Sequence, residues 1–141
     1  MPGGGDDRRK ILQLNSGRRF DHTLSVLGVL ARTNACHVIL VTQDDACVLL
    51  PQGQSQWRFR TGDRAALLPL GPAVVTSRGL QWDLQNAAMA PAGLVSSSNA
   101  VVGDTLELDI AGPVLLTVPL TALNAVVAGV TARRGLSSSV R

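Results

Sequence analysis

Between Thr42 and Val118 the chain is cut into short strand-forming runs by glycine, proline, asparagine and aspartate, at intervals too close for helices. The runs are Ala46–Leu50, Gln56–Arg60, Ala65–Leu70, Ala73–Ser77, Gly93–Ser97, Thr105–Ile110 and Val114–Val118. Between them lie Pro51-Gln52-Gly53, Gly62-Asp63, Gly71-Pro72, Gly103-Asp104 and Gly112-Pro113. Proline presets φ and glycine reaches positive φ, so each pair is built to reverse the chain. Seven short strands at this spacing predict a β-sandwich or flattened barrel over residues 43–119.

Upstream the pattern differs. Lys10 to Asn15 reads as a short strand, and Asn15-Ser16-Gly17-Arg18 as a polar turn. Asp21 is placed to cap a helix whose apolar positions Leu24, Leu27, Leu30 and Ala31 recur at helical spacing. Cys36–Val41 is again a run of strand formers, so the order is strand, helix, strand. A single βαβ unit is a fragment, because parallel strands need neighbours and cover on both faces. The expected fold class is therefore α+β, a truncated α/β (βαβ) fragment followed by an all-β sandwich. Residues 1–9 read as a flexible N-terminus, 10–42 as the α/β remnant, 43–119 as the β-sandwich and 120–141 as a partly disordered tail. A domain boundary is expected near residues 43–60. A helix over Leu120–Thr131 is weakened by Gly129 and the threonines, and irregular chain is expected from Gly135.

With 45% apolar and 16% charged residues among 141, the chain is able to bury a core. Its thirteen bases exceed ten acids, but three of those bases, Arg133, Arg134 and Arg141, lie in the acid-free segment 121–141. The body is thus balanced, and with 3% aromatics no nucleic-acid partner is expected. Cys36 and Cys47, eleven residues apart without a CxxC or a histidine cluster, predict neither a disulfide framework nor a zinc site and fit a reducing, cytoplasmic setting. No apolar run approaches the roughly 20 residues that span a bilayer, so no membrane association is expected.

Two motifs carry chemistry. Arg19-Phe20-Asp21-His22-Thr23 occupies a strand-to-helix turn. Thr76-Ser77-Arg78-Gly79-Leu80-Gln81-Trp82-Asp83-Leu84 precedes Leu94-Val95-Ser96-Ser97-Ser98-Asn99. A tryptophan is first of all a core candidate, and Trp57 reads so. Trp82, flanked by polar Gln81 and Asp83, suits a strand with one face toward a pocket. Ser98 and Asn99 read either as turn chemistry or as donors and acceptors for a ligand edge. Arg19 suits a bidentate phosphate contact or a surface ion pair, and Asp21 a helix cap or a group orienting a nucleophile or a metal-bound water. His22 reads as support for the turn, and His37 as a core or edge histidine.

Together these motifs resemble the thiamine pyrophosphokinases, in which a GGRFDH-like turn lies in an α/β domain and a GLKW-x-L stretch with a later Ser-Asn pair lies in a β-domain. Leu49-Leu50-Pro51-Gln52-Gly53 and Gly62-Asp63-Arg64 to Leu68-Pro69-Leu70-Gly71 follow the family's connecting strands in the same order, so the resemblance covers about residues 15–118. It implies transfer of a pyrophosphoryl group from ATP to thiamine, with Mg2+, by a homodimer whose thiamine pocket lies between the β-domain of one chain and the α/β region of the other. Residue by residue, it implies Trp82 stacking on thiamine, Ser98 and Asn99 beside it, and Arg19 and Asp21 as catalytic residues. The pattern departs at Arg18, where glycine is usual, and at Ala100, where glutamate is common. The family's GDFDS and DxDxTD motifs lie upstream of the turn, whereas here only Asp6 and Asp7 do. The expectation is a C-terminal portion of such an enzyme, with weak or no catalysis alone and no complete metal site.

Overall fold

The computed structural model describes residues 10–13 and 20–139. The chain opens with β1 (Lys10–Gln13), α1 (Phe20–Thr33) and β2 (Val38–Val41), and β1 pairs with β2 in parallel, as the βαβ reading requires. The strands β3 (Asp45–Leu49), β4 (Gly53–Arg58), β5 (Ala66–Pro69), β6 (Ala73–Arg78), β7 (Ala87–Met89), β8 (Thr105–Ala111) and β9 (Val114–Pro119) follow. A 3-10 turn at Leu120–Ala122 then leads into α2 (Leu123–Ser139).

Two sheets result, one of five strands in the order β1-β2-β3-β9-β5 and one of four in the order β4-β8-β6-β7. Their facing side chains form one core. In β8, Leu106, Leu108 and Ile110 point inward while Glu107 and Asp109 point out, the period-2 pattern of a sheet with one wet face. The interior strand β9 is buried along Val114–Val118. On β2 the alternation serves two cores. Ile39 joins the main one, while Val38 and Leu40 pack with Leu30, Val26 and Leu27 of α1.

This continuity bears on the expected boundary near residues 43–60. β2 is hydrogen-bonded to β3 through Ile39↔Val48, Leu40↔Cys47 and Val41↔Ala46, so the βαβ unit and the β-strands share a sheet. Val38 and Ile39 accordingly have sheet partners and are buried, and exposed apolar side chains remain on β1, at Ile11 and Leu12.

Two strand expectations require correction. Gly93–Ser97 forms no strand: Gly93 N donates to Ala90 O in a turn, Leu94 and Val95 are exposed, and only an isolated bridge joins Ser96 to Leu67. In its place β7 adds an edge to β6 from Ala87-Ala88-Met89, residues too poor in β-branched and aromatic side chains to stand out by propensity. β4 also starts earlier than expected, at Gly53.

The helix expected at Leu120–Thr131 runs on as α2 past Gly135. Gly129, which weakened that expectation, has a packing reason. A Cβ there would lie 2.3 Å from Cε3 of Trp57, so the helix approaches the ring closely because residue 129 has no side chain. Val126 and Val130 flank this contact in the core. Trp57 is buried, as expected of a tryptophan outside the motifs, and its indole N–H donates to Ser55 Oγ at 2.9 Å.

Candidate functional site

After β6 the chain makes a loop whose every turn has a hydrogen-bonded cause. Gly79 adopts φ +109°, where a Cβ would meet Thr105 O at 2.3 Å, so the backbone passes over the start of β8 in a way open only to glycine. Its carbonyl accepts from Val102 N at 2.9 Å. Leu80 is buried and bridges Val101, and Gln81 N donates to Ala100 O at 2.8 Å. Ser77 Oγ, itself buried, accepts from Leu84 N at 2.9 Å and closes the far end.

Asn99 holds the apex. Its Oδ1 accepts from Trp82 N at 3.0 Å and from Ala100 N at 3.0 Å. Its Nδ2 donates to Trp82 O at 2.7 Å and to Ser96 Oγ at 3.0 Å. A primary amide has two donors and about two acceptor sites, so the side chain is fully used within the protein. Both backbone polar atoms of Trp82 are thereby fixed while the residue is 60% exposed. Ser98 is exposed beside the buried Asn99. Exposed Leu94, Val95 and Val102 sit on the segments that these bonds join to the loop.

The outer face of the four-stranded sheet carries a groove of about 960 Å³ whose residues include Gln54, Gln56, Thr76, Arg78, Glu107 and Asp109. It runs up to Arg78, at the foot of the loop, and Trp82 is not among its lining residues.

Residues 37–115 match the family model described as thiamin pyrophosphokinase, vitamin B1 binding domain. The chain belongs to the thiamin pyrophosphokinase family. It is 32% identical over 126 residues to thiamine pyrophosphokinase 1 of Oryza sativa subsp. japonica, covering 84% of this chain and 48% of that protein. It is 33% identical over 110 residues to thiamine pyrophosphokinase 1 of Arabidopsis thaliana, covering 74% and 41%. The chain thus spans less than half the length of these two curated relatives. Among solved structures, yeast thiamin pyrophosphokinase superposes with a TM-score of 0.63 at 28% identity, over 77% of this chain and 39% of that one. The Candida albicans thiamin pyrophosphokinase gives 0.68 at 22% identity over 79% and 45%, a likeness of fold.

The matched range takes in Trp82, Ser98 and Asn99, which the fold brings together, and leaves out Arg19 and Asp21, the other two residues that the resemblance singles out. Arg19 lies outside the described residues. Asp21 falls in the first turn of α1, one residue inside the helix start at Phe20, where its Oδ1 accepts from His22 N at 2.8 Å. It therefore serves the helix N-terminus from within the first turn, and α1 packs on the five-stranded sheet, whereas Trp82 follows β6 of the other sheet. The described residues contain no group of three or more His, Cys, Asp or Glu able to hold a metal ion. Magnesium favours octahedral oxygen coordination, usually with one or two carboxylates and phosphate oxygens, and the one exposed carboxylate of Asp21 does not make such a site. Among the described residues no helix is long and apolar enough to cross a membrane.

Sequence reasoning missed Asp83, Ser77 and Ser96, which organise the loop. The available signal was an aspartate three and four residues after a Gly-Leu step, the spacing at which a carboxylate folds back on preceding backbone N–H groups.

Proposed function

We propose that this chain binds thiamine, with the Trp82 indole as the stacking platform, and serves the conversion of ATP and thiamine to AMP and thiamine diphosphate. The observation that carries the reading is a mostly exposed tryptophan on a backbone held at both of its polar atoms. Exposing so much apolar surface on a rigid loop costs stability, and a flat cationic ligand supplies a reason for it. An indole face suits the aminopyrimidine by stacking and the thiazolium by cation–π attraction of about 0.5 to 2 kcal/mol. Ser98 offers its hydroxyl to the ligand edge, while Asn99 contributes by holding Trp82. A homodimer that brings the α1 region of one copy to the Trp82 loop of the other fits the separation of Asp21 from that loop.

In the transfer, the hydroxyethyl oxygen of thiamine attacks the β-phosphorus of ATP, the bond to the α-phosphate oxygen breaks, AMP leaves and the hydroxyl proton is lost. A magnesium ion supplies charge neutralisation for such chemistry. Arg19 and Asp21 are the residues of this chain proposed to meet the phosphates and the nucleophile. A second reading is a thiamine-binding protein that modulates a dimer without catalysing transfer.

The test is to titrate the purified chain with thiamine by calorimetry and to assay it for thiamine diphosphate with ATP and Mg2+. Saturable binding with turnover supports the enzyme, and binding without turnover selects the second reading. No binding overturns both.

A further inference from the structure

We infer that Asp83 is a positioning residue for the Trp82 platform, a role that rests on the reading of Trp82 as the thiamine-stacking group. Asp83 follows Trp82 directly and its residue is exposed, yet its carboxylate is turned inward. Oδ1 accepts from Ser77 Oγ and from Leu80 N, each at 2.9 Å, and Oδ2 accepts from Gly79 N at 3.3 Å. Ser77 Oγ accepts in turn from Leu84 N. The carboxylate thus gathers the start of the loop and, through Ser77, its end, with Trp82 between.

Asn99 and Asp83 perform different tasks. Asn99 ties the Trp82 peptide to the neighbouring Ser96–Ala100 segment. Asp83 sets the curvature of the loop from inside. Gly79 is the residue with the widest backbone freedom in the loop, and its N–H is one of the three donors that Asp83 holds. Without the carboxylate, the N–H of the buried Leu80 loses its partner and Gly79 becomes a hinge, so the indole spreads over several orientations before any ligand arrives. Binding then bears the cost of reordering it.

A simpler role for Asp83, a negative charge attracting a cationic ligand, is separable by chemistry. Asparagine keeps an Oδ1 acceptor for Ser77 and Leu80, gives up the bond from Gly79 N because its Nδ2 is a donor, and carries no charge. The experiment uses the full chain labelled with 5-fluorotryptophan, which gives one fluorine resonance each for Trp57 and Trp82, assigned with Trp82→Phe. Asp83→Ala is expected to move the Trp82 resonance toward that of the free amino acid, to leave Trp57 in place, and to weaken thiamine binding by about three- to tenfold. Asp83→Asn, which keeps the two Oδ1 bonds and loses the longer one to Gly79 N, is expected to move the resonance and weaken binding clearly less than Asp83→Ala.

Equal losses in Asp83→Ala and Asp83→Asn would overturn the proposal in favour of charge attraction, as would an Asp83→Ala chain with an unmoved Trp82 resonance. Should Asp83→Ala also shift Trp57, and so unfold, Ser77→Ala decides. A displaced Trp82 resonance with weaker binding supports the positioning role, and an unmoved one overturns it. A parent chain that fails to bind thiamine removes the functional reading, while the ligand-free resonances still decide whether Asp83 orders the indole.

Discussion

Trp57 and Trp82 lie at opposite ends of the burial scale, 2% and 60% exposed, and their neighbours explain why. Trp57 alternates inward on β4, satisfies its N–H on Ser55 and accepts the backbone of α2 against its ring at Gly129. Gly129→Ala offers about 1 kcal/mol of helix propensity. The new methyl meets a buried ring at well under contact distance, and overpacking of this kind costs about 1 to 3 kcal/mol. The expected result is a lower urea midpoint with an unchanged slope, and a stabilised Gly129→Ala protein would show that α2 does not pack on Trp57 in this way. The different fates of the two tryptophans were legible from the motif around Trp82 alone, since Trp57 has polar flanks too, in Gln56 and Arg58. The full use of the Asn99 amide was not legible, because Ser-Asn spells a turn, a ligand contact and a backbone clamp in the same letters.

At the level of elements, the strands with strong alternation or a solid apolar run, β2, β3, β5, β6, β8 and β9, were readable to within a residue or two. β7 and the Gly93–Ser97 segment were not, since pairing there depends on which edge β6 leaves open rather than on local propensity. β1 has a different consequence. It is an edge strand with all four residues exposed, including Ile11 and Leu12. α1 adds exposed Phe20, Leu24 and Val29. Among the described residues this edge is unprotected, and its apolar side chains invite further pairing. Light scattering is expected to detect assemblies larger than a dimer as concentration rises, and Ile11→Lys with Leu12→Lys is expected to reduce them. A parent chain whose mass is independent of concentration would contradict this account of the edge.

Over the whole molecule, the two sheets share one core, and the α1 region and the Trp82 loop are carried by different sheets. The family's fold was readable because several motifs occur in one order, whereas the shared sheet across residues 41–46 was hidden by the change from βαβ to short-strand patterning. Calorimetric titration of the parent and of Trp82→Ala, beside their thermal midpoints, decides whether this architecture presents Trp82 to thiamine. The parent is expected to bind thiamine saturably and Trp82→Ala to bind it more weakly by about 1 to 3 kcal/mol, with a midpoint nearly unchanged because the residue is largely outside the core. A Trp82→Ala protein that binds thiamine as tightly as the parent, or that melts many degrees lower, would contradict this role of Trp82.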